Sequence, residues 1–201
     1  LSTTEIQGLN SQQISGLTST ALAAFSQEQV DSLTGNQLRG LTATQLSGLD
    51  DTDVGQLRPT QIALLNGTQI GAMAPHLSTG IIGGLTATQV SKMSVTALDA
   101  LSPTQLAAFG PTQLRALTAD QIGKLPSDIP SALNATQIAS LTAQQLGALS
   151  PDNFGRLSLD GLARLDANQL RGLTPTQGRS LTSTQLGAFN GTQIAALTAN
   201  V

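Results

Sequence analysis

The chain has 201 residues, of which 10% are charged and 2% aromatic, and nine Lys and Arg against twelve Asp and Glu leave a net charge of −3. A typical soluble domain carries about 25% charged residues, so this chain is sparsely charged, with no basic surplus to draw it to phosphate backbones or anionic membranes. The absence of Cys excludes disulfides, thiolate metal sites and cysteine nucleophiles.

From Leu1 an apolar residue returns every eight positions, through Leu9, Leu17, Phe25 and Leu33 to Leu65. Nine octapeptides therefore occupy residues 1–72. The four residues Met73-Ala74-Pro75-His76 interrupt the frame, fifteen further repeats occupy 77–196, and a partial repeat closes 197–201. One continuous solenoid is expected, cut from a longer array, because the chain starts at Leu1 and neither end is a polar capping repeat. No apolar run approaches the roughly 18 residues of a membrane span, and no charged-then-apolar start suggests a signal peptide.

The consensus, Leu-Thr-Ala-Thr-Gln-Leu-Gly-Ala, spells a helix start. Position two is Ser, Thr, Asn or Asp in 21 of 24 repeats, with Arg58, Gly110 and Pro126 the departures. Such side chains accept a hydrogen bond from an N–H orphaned at a helix start. Position five is Gln or Glu in 17 of 24 repeats, which completes a capping box three residues later. Pro59, Pro103, Pro111, Pro151 and Pro175 stand at position three, the first helical position, where the missing N–H costs nothing. Positions one and six are apolar at the spacing of a hydrophobic staple. Positions seven and eight are mostly Gly, Ala or Ser, small enough to end a helix and let another backbone approach.

A capping box every eight residues leaves room for about one and a half turns. One continuous helix is disfavoured, since its apolar stripe would drift about 80° per repeat. A β-helix is the rival, prompted by the recurring Thr-x-Thr pairs. It conflicts with proline inside the unit and with apolar spacing of five then three. The expected fold is all-α, a solenoid or superhelix of very short helices, one per repeat. Two buried apolar side chains return roughly 3–6 kcal/mol while ordering eight residues costs on the order of 12, so neighbours must share one core. In this reading Thr at position four and Gln at position five repeat along the outside. The irregular repeat Leu125 to Ala132 and the apolar gap at Gly178 mark soft points. Nothing in the spacing sets the number of repeats per superhelical turn.

Units such as Leu85-Thr86-Ala87-Thr88-Gln89-Val90 and Leu181-Thr182-Ser183-Thr184-Gln185-Leu186 resemble octapeptide arrays of large bacterial surface or secreted proteins, adhesin-like or related to repeats-in-toxin proteins. The resemblance implies an extracellular or cell-surface location and carries no catalytic motif to transfer. The glycine-aspartate nonapeptides that bind calcium in repeats-in-toxin proteins are absent.

The candidate sites are sparse. His76 is the single histidine, without a nucleophile elbow or a second ligand at metal spacing, and reads as a polar residue of the insert. Asp50, Asp51 and Asp53 are the densest acidic cluster; they lack the distal acid of a calcium loop and suit a helix start. Arg156, Arg164, Arg171 and Arg179, spaced by seven or eight, line one edge in a linear array, but favourable charge at helix carboxyl ends explains them. Phe25, Phe109, Phe154 and Phe189 are core. The expectation is therefore no catalytic, cofactor-binding or metal-binding residues, no enzyme and no cofactor. The partner is a protein or glycan surface, with no nucleic acid and no membrane insertion. The function expected is a stalk or interaction segment. The alternative is an ice- or polysaccharide-binding surface built on recurring Thr and Gln, prompted by Thr42/Thr44, Thr86/Thr88 and Thr182/Thr184.

Overall fold

A computed structural model describes residues 1–127 and 129–198; Asp128 and the last three residues of the partial repeat lie outside the described residues. Among the described residues there are 24 short α-helices, one 3-10 helix and no strand. Each repeat forms one helix, typically of five or six residues, as the period requires. The start is set by the predicted caps: Thr142 is extended at φ −74° and ψ 160°, and its hydroxyl accepts from the Gln145 N–H at 3.2 Å. All five position-three prolines begin their helices. At two of the three lost caps half of the box survives: Gln61 Oε1 accepts the Arg58 N–H at 3.0 Å and Gln113 Oε1 the Gly110 N–H at 2.6 Å.

The chain divides into two compact units, Leu1–Leu101 and Ser102–Val201. In the first, helix Ser11–Ser15 packs on Gly35–Gly40, Ser19–Ala23 on Ala43–Leu46, and Ala43–Leu46 on Gly67–Ala72. The second unit repeats this pattern: Pro111–Ala116 packs on Ala135–Ser140, which packs on Leu159–Ala163. Each helix thus meets the one three repeats on, so within each unit three repeats of eight residues make one turn of the coil. The interior is filled by positions one and six, from Ile6, Ile14 and Leu38 to Phe109 and Phe154, all essentially inaccessible.

Some of the small residues at positions seven and eight serve close approach, while others, such as Gly55 and Gly187, face open space. No described residue, glycine included, has a positive φ, so left-handed termination of the helices is not used. A Cβ on Gly40 would fall 2.8 Å from the Ser11 carbonyl oxygen, and one on Gly172 would fall 2.5 Å from that of Ala143. The backbones of successive turns touch there, and a side chain would wedge them apart.

The insert folds as a 3-10 helix, Ala74–His76, with Met73 and Ala74 fully buried. It stands in for a whole repeat. Across it, Gly67–Ala72 packs on Ala87–Ser91 and Pro59–Ile62 on Thr79–Gly84, each pair only two octapeptides apart. Four residues therefore supply the third side of that turn, at the cost of about half a repeat of length. At the other end of the chain, helix Gly191–Thr198 runs on through Leu197 into the partial repeat.

Candidate functional site

The most distinctive polar arrangement is built by Gln at position five, and it corrects the outward placement expected from the sequence. Gln37, Gln45, Gln61, Gln69, Gln89, Gln137, Gln145 and Gln177 are all buried. Gln45, 3% exposed, shows the geometry. Its Oε1 accepts from the Thr42 N–H at 2.8 Å and from the Thr42 hydroxyl at 3.1 Å. Its Nε2 donates to the carbonyls of Ile14 at 2.7 Å and Leu17 at 2.8 Å, one coil turn earlier. The physical reason is supply and demand: each short helix leaves carbonyls orphaned at its end, and the start of a helix in the next turn lies over them. A primary amide holds an acceptor and two donors in one plane, so one side chain completes the cap of its own helix and satisfies the helix end beneath.

The same register recurs. Gln145 Nε2 donates to Leu114 and Leu117, both at 2.7 Å, and Gln177 Nε2 to Leu146 at 2.7 Å and Leu149 at 2.8 Å. Across the insert, Gln89 reaches Ile62 and Leu65, at sequence separations of 27 and 24 in place of 31 and 28. That four-residue deficit is the insert acting as one full side of the coil. Asn153, one methylene shorter, reaches a single carbonyl, that of Leu125 at 2.9 Å, while Ser150 caps its N–H at 3.1 Å. The capping-box half of this ladder is legible in the sequence; the inward half carries no local signal, because its acceptors lie a turn away.

The titratable candidates are occupied by structure. Asp50 Oδ1 accepts from the N–H groups of Thr52 at 2.8 Å and Asp53 at 2.9 Å, and Asp53 Oδ2 accepts the Asp50 N–H at 3.2 Å. Asp51 turns away to His76, Oδ1 to Nδ1 at 2.6 Å, with the imidazole 33% and the carboxylate 85% exposed. The three acids therefore do not converge on one point. The His76 pair ties the insert to the turn before it. At Glu5 the N–H and hydroxyl of Ser2 hold the carboxyl below its ordinary pKa. Among the described residues no group of three or more His, Cys, Asp or Glu is placed to hold a metal, and no helix is long and apolar enough to cross a membrane.

Arg156 and Arg164 are the C-caps of Pro151–Gly155 and Leu159–Ala163, and Arg171 and Arg179 lie in the last turns of Ala167–Arg171 and Pro175–Ser180. They suit the helix dipole. With three repeats per turn, Arg156, Arg164 and Arg171 fall on three different sides of the coil, so they do not form the single edge that a linear array implies. The chemistry of the glutamine ladder is backbone satisfaction: neutral amides bonded to neutral carbonyls.

No curated protein matches the chain. Two stretches, residues 96–128 and 162–199, match the family model of the ALTTAQ repeat, so this is a repeat-containing protein whose octapeptide is similar to the ALTTAQ unit.

Proposed function

We propose that the chain is a non-enzymatic structural or interaction segment of an extracellular bacterial protein, acting as a stalk or a contact surface. One observation carries the reading: the repeated polar side chains serve the fold itself. Position-five amides turn inward and position-two hydroxyls bond their own helix starts, as in Gln145 and Thr142. The recurring outward group is Thr at position four, exposed at Thr44, Thr68, Thr88, Thr136 and Thr184. Such a surface is sparsely charged and short-armed, suited to contact with protein or glycan and poorly suited to nucleic acid. The bacterial source and the surface location rest on the octapeptide resemblance. Single-molecule extension of the chain between two handles tests the stalk role: lengthening in small increments, repeat by repeat or turn by turn, is expected. Turnover of any ester, glycoside or phosphoester in a substrate panel would overturn the non-enzymatic reading.

A second reading, an ice- or polysaccharide-binding face, has one observation in its favour. Thr20, Thr44 and Thr68 are exposed and stand one turn apart on one side of the first unit. Against it, Thr42 and Thr182 are consumed as caps, leaving one outward Thr per repeat at helix spacing of about 8–10 Å. Thermal hysteresis or saturable binding on a glycan array would favour this reading; neither is expected of a spacer.

A further inference from the structure

The amide ladder has a register, and the register names the acceptors of each position-five residue. Gln45 reaches back 31 and 28 residues, to Ile14 and Leu17. Residue 53 holds position five of repeat 7, and the same count arrives at Leu22 and Phe25. Here, though, the residue is Asp, one methylene shorter than Gln and, as a carboxylate, without a donor. Beside it lies a cavity of about 20 Å³ whose walls include Leu22, Phe25, Asp53 and Gln56, with apolar core side chains around the rest. Gln56 supplies a second, independent mark: its Oε1 is buried and lacks a hydrogen-bond partner. Asp53 and Gln56 are thus the two polar residues of an otherwise apolar lining, and a carboxylate and an amide oxygen are both acceptors.

We propose that this cavity is a hydration site, in which one buried water takes the place of the missing glutamine amide. The warrant is donor arithmetic. A water brings two donors, the number an –NH2 group brings, and is free of the tether that Asp cannot stretch. It donates to Gln56 Oε1 and to the Leu22 or Phe25 carbonyl. A site for one water needs roughly 10–15 Å³ and two to four polar partners, and this cavity of about 20 Å³ has room for one. The water completes the ladder at Asp53, where an acid stands in place of glutamine.

A crystal structure of the chain at a resolution that shows ordered solvent tests this directly, together with Asp53→Gln. The expected result is one ordered water in hydrogen-bond range of Gln56 Oε1. In Asp53→Gln the new amide should bond the Leu22 and Phe25 carbonyls, the water should leave, and the melting midpoint should rise by about 2–4 °C. A dry cavity, or Gln56 turned to solvent in the unaltered protein, overturns the proposal. So does a melting midpoint that rises with ammonium chloride over tetramethylammonium chloride at equal ionic strength, which would mark the occupant as a small cation. Should Asp53→Gln fail to fold, magnetisation transfer between a long-lived water and the Gln56 side-chain amide in the unaltered protein decides the matter: its presence supports the site and its absence rejects it.

Discussion

Repeats 18 and 16 lie in the same unit and fill the same core by different means. In repeat 18, Thr142 caps, Gln145 completes the box and bonds the turn beneath, and the helix runs from Ala143 to Ala148. Repeat 16 has Pro126 at the cap and Ile129 in place of Gln, and its helix is described over Ile129–Ala132. Yet Leu125, Ile129 and Pro130 are buried, so the core contains no gap where the code fails. The comparison separates two roles. Polar side chains decide where a helix begins and which earlier turn it is tied to, while the apolar positions need only be filled.

The largest effect should come from reversing the ladder's polarity without changing its shape. Gln145→Glu sets a carboxylate, an acceptor only, against the Leu114 and Leu117 carbonyls. A loss on the order of 3–5 kcal/mol in urea unfolding at neutral pH is expected. Burial raises the folded-state pKa of the introduced carboxyl. Stability relative to the parent should therefore recover at low pH and be lost as pH rises through that folded-state value. Parent-like stability at neutral pH would show that the ladder carries no weight. Next, Leu141→Ala, at a position-one residue with 2% exposure, should cost about 2–5 kcal/mol through transfer and cavity terms; a smaller loss would mean that the thin core collapses around the gap.

The two repeats should also differ in local opening. Residue-resolved hydrogen exchange is expected to be at least about tenfold faster over Ser131 to Ala132 than over Thr142 to Ala148, equivalent to roughly 1.4 kcal/mol. Equal protection would show that packing alone holds repeat 16. A smaller change still is Thr142→Ala, at about 0.5–2 kcal/mol. The low end is favoured because the repeats begun by Arg58 and Gly110 form helices with the glutamine half of the box alone. The smallest effect is at Glu5, a fully exposed carboxyl with a lowered pKa. A depressed folded value means its contribution is present above the unfolded value, near 4.3, and is lost as pH falls through the folded one. NMR titration should show fraying confined to helix Thr3–Gly8, and fraying that strengthens as pH rises would contradict the Ser2 bond.

Local chemistry alone determined much of this protein. Eight-residue spacing, caps at position two and prolines at position three specify one short helix per repeat, because each of those interactions closes within four residues. The apolar pair at positions one and six identifies the core, and Asp50 and Asp53 read correctly as a helix start. Tertiary structure decided the rest. That three repeats make a turn depends on how each extended linker aims the next helix, which no residue type encodes by itself. Once the turn closes, helix starts lie over helix ends 28 to 31 residues earlier, and Gln45, polar and seemingly a surface residue, becomes the buried donor those carbonyls require. The same closure makes Met73 to His76, half a repeat by length, a full side by position, because the coil counts its sides and not its residues.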